Sequence, residues 1–446
     1  MPAKLNDNKI INAWSMYDWA NSVYALVISS TIFPVYYNSA TRAAFNSDQV
    51  SFFGFYIENT VLYSYSLSLS FLLIAGLSPL LSGIADSSGR RKFFMKFFTY
   101  LGGFSCIALY FFDGSNIEFG ILFSILACVG YAGGIVFYNA FLPVIATPDK
   151  YDFVSARGFS LGYVGSVILL IVNILMLTFP QTFFLSSDTE AAKISFAMTG
   201  IWWIVFAQIP FYYLPANKKT TQSQKGILKK GYVEILKVWQ VVQGLKVLKN
   251  FLIAFFFYST GVQTVMYLAA TFGEKELRLP ADSLIMTILI IQIVAIGGAY
   301  LFAQISKMQG NKFALLCMVF IWIFICFYAY FVTTANQFYA LAFIVGLVMG
   351  GIQSLSRATY SKLIPAQTLA HTSYFSFFDV VEKSSIVVGT FCYGLIEQLT
   401  GSMRNSVFAL ALFFLVGMGF LFLIKIPLPF SRRRMVLEKT QRSSLP

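Results

Sequence analysis

The sequence predicts an all-α integral membrane protein with twelve transmembrane helices, arranged as two pseudo-symmetric six-helix bundles. Three observations predict this fold. Of 446 residues, 57% are hydrophobic and only 11% are charged, and the mean hydropathy is +0.70, so polar surface is too scarce to cover a soluble globule. About twelve apolar runs reach the roughly 20 residues that a spanning helix needs. Glycine spacings in the first half recur in the second.

The apolar runs are separated by short polar turns or by turns that contain Pro and Gly. Each run is long enough to cross the hydrocarbon core of a bilayer. The predicted spans are 12–37, 57–85, 93–112, 117–146, 157–180, 193–214, 248–272, 282–306, 312–334, 337–363, 374–398 and 404–426.

Lysine and arginine are concentrated in one set of alternate loops, which predicts that these loops are cytoplasmic. The opposite set holds only Arg42, Lys193, Lys275, Arg278 and Arg404. Both termini then lie in the cytoplasm, as an even number of spans requires. Short loops on the other side and the absence of an N-x-[ST] acceptor favour a multi-pass protein of a bacterial inner membrane.

One long basic connection divides the twelve spans into six and six. We predict an N-terminal bundle over 1–214, a basic cytoplasmic linker with an amphipathic helix over 215–247, a C-terminal bundle over 248–430 and a basic cytoplasmic tail over 431–446. Two glycine patterns support an internal repeat, at offsets of 216 and 221 residues. They pair Gly130 and Gly134 with Gly346 and Gly350, and Gly89 with Gly310.

The turn after the second span contains the most specific short motif, which runs from Gly83 to Lys92. Its glycines allow close helix approach and a tight reversal, while Asp86 can pair with Arg90 or cap a neighbouring helix. We predict a cytoplasmic gate formed by Gly83, Asp86, Gly89, Arg90 and Arg91. Ordinary positive-inside charge beside a turn is the simpler alternative. The corresponding turn at 307–312 lacks the acid, so any latch there should be weaker.

The first span carries a polar stripe on one helical face, with Asp18 in its middle. A carboxylate is costly inside a bilayer, so Asp18 is a candidate proton acceptor or partner for a substrate ammonium group. A structural cap or an interhelical hydrogen bond is the alternative. The full set of candidates for substrate binding or proton coupling is Asp18, Asn21, Tyr17, Tyr24, Asn139, Gln263 and Gln353.

Spans 10 and 11 carry a second charged group. Asp379 and Lys383 have the i, i+4 spacing of an ion pair, which leaves Glu382 or Asp379 to pair with Arg357. We assign Arg357, Asp379, Glu382 and Lys383 to the cytoplasmic gate. A static network that only holds the helices together is an equal alternative.

The Gly83–Lys92 motif resembles the loop motif of the major facilitator superfamily. Three further stretches resemble its vacuole-effluxer-like branch, the autophagy-related amino-acid effluxers: 17–22, 141–163 and 350–365. The resemblance covers nearly the whole chain and implies the major facilitator fold and solute efflux, with neutral amino acids as candidate solutes. An arginine in span 4 and a Gly-Pro pair in span 5, which are typical of drug antiporters, are missing.

The leading interpretation is therefore a secondary active transporter that exports neutral or zwitterionic solutes such as amino acids by alternating access. No phosphate-binding loop, metal-ligand spacing or catalytic constellation is present, so we expect no enzyme activity, no cofactor and no metal. The expected partners are a small-molecule solute, membrane lipid and, as candidate coupling ion, protons; we expect a monomer and no nucleic acid. The alternatives are a non-transporting receptor or scaffold, and an importer of sugars, nucleosides or peptides.

Overall fold

The computed structural model describes residues 5–216 and 227–424, which are almost entirely helical. The first part, here called the N-half, begins with α1 (Asn8–Val23), which continues through a π-helical stretch (Tyr24–Thr31) into α2 (Ile32–Phe45). The remaining N-half helices are α3 (Asn59–Ser88), α4 (Arg91–Ala108), α5 (Ile117–Asn139), the short α6 (Leu142–Ile145), α7 (Tyr151–Thr178) and α8 (Asp188–Tyr213).

The linker helix α9 (Ile227–Gly244) leads into the second part, here called the C-half. Its helices are α10 (Lys246–Leu277), α11 (Ala281–Gln309), α12 (Asn311–Phe331), α13 (Ala335–Leu363), α14 (His371–Thr400) and α15 (Met403–Leu423). Helix α9 lies within the linker that the sequence predicts over 215–247. The predicted basic tail at 431–446 and residues 217–226 of the predicted linker lie outside the described residues.

Within the described ranges, ten helices are long and apolar enough to cross a membrane. Two further rods run beside them: the α1–π–α2 rod, and α14, which contains Asp379, Glu382, Lys383 and Glu397. Each predicted apolar run corresponds to one of these rods. The largest difference is in the first, which continues past position 37 to Phe45. The predicted all-α fold class is confirmed.

Close helix crossings explain two of the repeated glycines. A Cβ atom at Gly130 of α5 would collide with the backbone of Gly102 in α4, and one at its counterpart Gly346 of α13 would collide with the backbone of Ile291 in α11. Small residues let helix backbones approach in lipid, where van der Waals packing drives association. The two halves therefore use their recurring glycines for the same purpose.

A two-stranded antiparallel hairpin, β1 (Gln49–Phe52) and β2 (Phe55–Glu58), connects α2 to α3 and is not predicted from the sequence. Phe53 and Gly54 form its turn, and both have a positive φ. Its strands are only four residues long and lie between two long apolar runs, so their alternating pattern is too short to stand out.

Candidate functional site

A cavity with polar and apolar lining lies between the two halves and is lined by residues from α1, the π-helical stretch, α3, α5, α7, α10, α13 and α14. It encloses about 1270 Å³, including the open solvent at its mouth. Six of the seven predicted substrate or coupling residues line it. They are Asp18, Asn21, Tyr24, Asn139, Gln263 and Gln353.

Tyr17 is the exception, and its assignment to the cavity is wrong. Its hydroxyl shares a hydrogen bond with Thr99 Oγ1 at 2.9 Å, and its ring lies 4.8 Å from that of Tyr138. Successive helical residues are rotated by about 100°. The rotation that aims Asp18 at the cavity therefore turns Tyr17 into the N-half core.

An ion pair between Asp18 and Arg357, here called the floor pair, joins the halves at the base of the cavity. Nη1 and Nη2 of Arg357 each donate to Asp18 Oδ2 at 3.3 Å, and Nη1 also donates to Asn139 Oδ1 at 3.1 Å. Nε donates to Ser155 Oγ at 2.8 Å and Nη2 to the Ser155 carbonyl at 2.9 Å. All five guanidinium N–H groups thus have acceptors, and all the acceptors belong to the N-half.

Neighbouring residues shape the floor pair. Tyr138 donates a hydrogen bond to Asp18 Oδ2 at 2.7 Å, and the Arg357 guanidinium lies 4.2 Å from the ring centroid of Phe159 and 4.8 Å from that of Trp14. A Cβ at Gly158 would overlap the Asp18 carboxylate, so only glycine leaves room for the pair. This aromatic enclosure lowers the local dielectric and strengthens both the ion pair and the cation–π contacts.

The predicted pairing of Arg357 with Glu382 or Asp379 is wrong. Both acids lie on α14, at one side of the cavity, and so does Lys383. The Nζ atom of Lys383 is 3.0 Å from Glu382 Oε2 and 3.3 Å from Asp379 Oδ1. The Asp379–Lys383 pair does have the predicted i, i+4 spacing. Arg357 instead points across the interface between the halves, where Asp18 is within reach.

These α14 residues and Gln263 form what we call the wall cluster. Gln263 Nε2 donates to Glu382 Oε1 at 3.1 Å. No residue that the structure describes donates a hydrogen bond to either carboxylate oxygen of Asp379, although Asp379 is buried. A buried carboxylate without a hydrogen-bond donor is costly and depends on the ion pair with Lys383.

Asp86 forms a first latch across the halves, because it caps the N-terminus of α14. Its Oδ2 accepts from the backbone N of Ser373 at 2.7 Å and from its hydroxyl at 2.9 Å, while Oδ1 accepts from the backbone N of Thr372 at 3.3 Å. The cap position of α14 is Ala370, which has no capping side chain. The N-half therefore supplies the negative group that this helix terminus needs.

Arg91, rather than Arg90, is the basic partner in this latch. Arg91 Nη2 donates to Asp86 Oδ1 at 3.1 Å and Nε donates to Thr372 Oγ1 at 2.7 Å, whereas Arg90 is exposed. Arg90 lies outside α4, as the residue preceding its first turn, so its side chain extends outward. Gly89 ends α3 in the left-handed conformation, at φ 65°, as its predicted role in the reversal requires.

A second latch was missed by sequence reasoning. Asp152 of α7 accepts from Ser306 Oγ at 3.0 Å, from Asn311 Nδ2 at 2.7 Å and from Lys362 Nζ at 2.6 Å. The acid that the 307–312 turn lacks is thus provided by the opposite half. Asp152 lies at the start of α7, and Ser373, the partner of Asp86, lies 221 residues later at the start of α14. Gly89 and Gly310 are separated by the same number of residues, so comparing the two halves at this offset could have identified Asp152.

All hydrogen bonds that connect described residues of the two halves lie towards one end of the bundle, here called the Asp86 end. None lies beyond the Tyr163–Gln353 bond, in which the Tyr163 hydroxyl donates to Gln353 Oε1 at 2.6 Å. Polar contacts between the halves therefore concentrate between the Asp86 end and Gln353, which itself lines the cavity.

The model of the vacuole effluxer Atg22-like family matches residues 6–428. The chain belongs to this family. It is 30% identical over 407 residues to the "uncharacterized MFS-type transporter YxiO" of Bacillus subtilis (strain 168), covering 91% of this chain and 92% of YxiO. It is 27% identical over 403 residues to autophagy-related protein 22 of Saccharomyces cerevisiae (strain YJM789), covering 78% of this chain and 74% of that protein.

Solved structures agree on the fold. The major facilitator superfamily transporter FucP in the outward conformation superposes with a TM-score of 0.68 at 13% identity, covering 94% of this chain and 98% of FucP. The human organic anion transporter MFSD10 also superposes with a TM-score of 0.68, at 10% identity, covering 94% of this chain and 100% of MFSD10. Family and fold together describe a multi-pass membrane transporter of the major facilitator superfamily.

Proposed function

We propose that this chain is a secondary active transporter that exports neutral or zwitterionic solutes, such as amino acids, across a bacterial inner membrane by alternating access. One observation carries the proposal: a cavity shared by both halves is lined by two acids and two bases, Asp18, Glu382, Arg357 and Lys383, which pair with each other. The cavity is formed within one chain, so a monomer suffices.

The balanced charge of the cavity supports the proposed solute class. A solute with net charge would leave one charge unpaired in a poorly hydrated site, which is costly. Glu382 and Lys383 present opposite charges side by side, as do the ammonium and carboxylate groups of a zwitterion. Phe71 and Tyr267, whose ring centroids are 6.4 Å apart, add apolar surface beside them.

The Lys and Arg distribution supports a cytoplasmic Asp86 end, with both termini on that side. The described conformation is then closed towards the cytoplasm. Loading a solute from the cytoplasm requires both latches and the floor pair to break, while the helices themselves stay intact. Each contact can re-form, so the cycle needs no covalent change.

Asp379 is our candidate for the proton-coupling group. Asp18 accepts hydrogen bonds from Tyr138 and Arg357, which stabilise its ionised form, whereas Asp379 has no hydrogen-bond donor within the described chain. Protonating Asp379 would release Lys383 to interact with Glu382 alone. A proton gradient could thereby bias the wall cluster between two arrangements.

Counterflow into proteoliposomes tests the transport proposal. Vesicles preloaded with a mixture of unlabelled neutral amino acids should accumulate labelled amino acid, because exchange needs no gradient of protons. Lys383→Met should reduce exchange at least tenfold, since it removes the cation of the wall cluster. Lys275→Met is the matched control, because Lys275 pairs with Glu397 at an exposed site away from the cavity.

The possible outcomes separate the alternatives. Solute binding without counterflow would favour a receptor, and counterflow of sugars or nucleosides alone would overturn the solute class. For coupling, Asp379→Asn should keep exchange but abolish the response to an imposed pH gradient. A full gradient response in Asp379→Asn would remove this residue from the coupling mechanism.

A further inference from the structure

The linker helix α9 lies across the seam between the halves at the Asp86 end. Gly231 packs against Gly83 of α3 so closely that a Cβ on either would overlap the other helix. Farther along α9, Val238 and Val242 are buried in the C-half core, and the Trp239 ring lies 5.6 Å from that of Phe377 in α14. The helix is therefore attached to both halves.

This contact gives Gly83 the close helix approach that the sequence predicts, with α9 as the helix it approaches. Gly83 permits the crossing with α9, whereas Gly89 makes the reversal of the chain. The helices that α9 connects, α3 and α14, are also those that the first latch joins through Asp86. Opening the Asp86 end must therefore break or stretch the attachment of α9 to one half.

The face of α9 that points away from the protein is suited to a bilayer surface. Tyr232 and Leu236 lie one turn apart on this face and are 59% and 41% exposed; Trp239, at its edge beside Phe377, is 47% exposed. Lys229 and Lys237 are exposed on the adjoining arc of the helix. An apolar stripe bordered by lysines is typical of helices that lie in the membrane interface.

The charge of this region identifies the partner. Between positions 217 and 249 the sequence has eight lysines and one acidic residue, Glu234. Such clusters beside a membrane bind anionic lipid headgroups and are screened by salt. An acidic headgroup complements the lysines while the acyl region accepts the aromatic stripe.

We propose that α9 is a strap that binds anionic phospholipid at the membrane surface and thereby holds the Asp86 end closed. The lipid fixes the helix in the interface, where it contacts α3 and α14 together. Anionic lipid then slows the opening step. This regulation rests on the proposed alternating access, but its test below reads conformation directly and needs no solute.

The experiment uses the full chain with spin labels at Lys150→Cys and Met308→Cys, which are exposed positions of opposite halves at the Asp86 end. Label distances are compared in phosphatidylcholine alone and with about a third phosphatidylglycerol. We expect the anionic lipid to raise the ratio of closed to open molecules roughly threefold or more. The pair Lys229→Gln and Lys237→Gln should abolish this response, and the control pair Lys193→Gln and Lys275→Gln should retain it.

A second comparison tests the strap itself. Gly231→Leu should widen the label distances in both lipids, because its side chain cannot fit against α3. Gly244→Leu is the control on the same helix, since a Cβ there meets only open space. Equal distances in both lipids, or equal behaviour of the two glycine variants, would overturn the proposal. Failure of solute counterflow alone would leave these distance results unchanged.

Discussion

Replacing Asp18 with asparagine should shift the protein towards opening at the Asp86 end. The substitution removes the only ion-pair partner of Arg357 among the described residues. Both side chains are buried, with 9% of Asp18 and 3% of Arg357 exposed. The guanidinium is then more stable in a conformation where water reaches it. The closed conformation, in which it stays buried, loses stability relative to the open one.

The size of the shift follows from the contacts that remain. Removing one partner of a buried ion pair costs about 3–5 kcal/mol. Arg357 keeps three neutral acceptors, Asn139 Oδ1, Ser155 Oγ and the Ser155 carbonyl, so about 2–3 kcal/mol is a better value. At about 1.4 kcal/mol per factor of ten, the ratio of closed to open molecules should fall roughly 30- to 150-fold.

Spin-label distances between Lys150→Cys and Met308→Cys measure this ratio, in a background without the five native cysteines. Asp7→Asn is the matched control, because Asp7 is a half-buried cap at the start of the same helix, with a local hydrogen bond to Lys9 N. In the double variant Asp18→Asn with Arg357→Gln, the effects should be less than additive, since both changes remove one interaction. A label distribution identical to that of the parent protein would refute the reasoning.

The two latches and one glycine crossing give three further predictions. Asp86→Asn removes the negative group at the start of α14, at a cost of about 1–2 kcal/mol, and should lower the ratio of closed to open molecules roughly five- to thirtyfold by the same label pair. Asp152→Asn should have a smaller effect, about fivefold, because its partner Lys362 is 21% exposed; a larger effect than that of Asp86→Asn would contradict this ranking. Gly130→Ala should lower the thermal unfolding midpoint, whereas Gly76→Ala should leave it unchanged, because a Cβ at Gly76 meets no neighbouring atom. Equal midpoints for the two variants would disprove the close crossing of α4 and α5 at Gly130.

Much of the architecture was predictable because lipid imposes strong constraints on sequence. A spanning helix must be long and apolar, so each predicted apolar run corresponds to one helical rod in the structure. The interior position of Asp18 was predictable for the same reason, since a carboxylate in an apolar run needs a protein partner. The role of Asp86 as a cap for a neighbouring helix was likewise one of the two expected roles.

The partner of a buried charge was not predictable. Asp379 and Lys383 are close in sequence, so helical periodicity reveals their pairing. Arg357 and Asp18 are 339 positions apart, and only the packing of the two halves brings them together. Asp152 lies in the first turn of a helix, where an acid usually interacts with the helix dipole or water, so its cross-interface role has no local signal.

The charges at the interface give each half a preference for its counterpart. The acids of the floor pair and both latches, Asp18, Asp86 and Asp152, belong to the N-half, while Arg357 and Lys362 belong to the C-half. Two copies of the N-half would place carboxylates against each other. Co-expressed as separate polypeptides, the halves should therefore reassemble as mixed pairs, with self-association disfavoured by electrostatic repulsion.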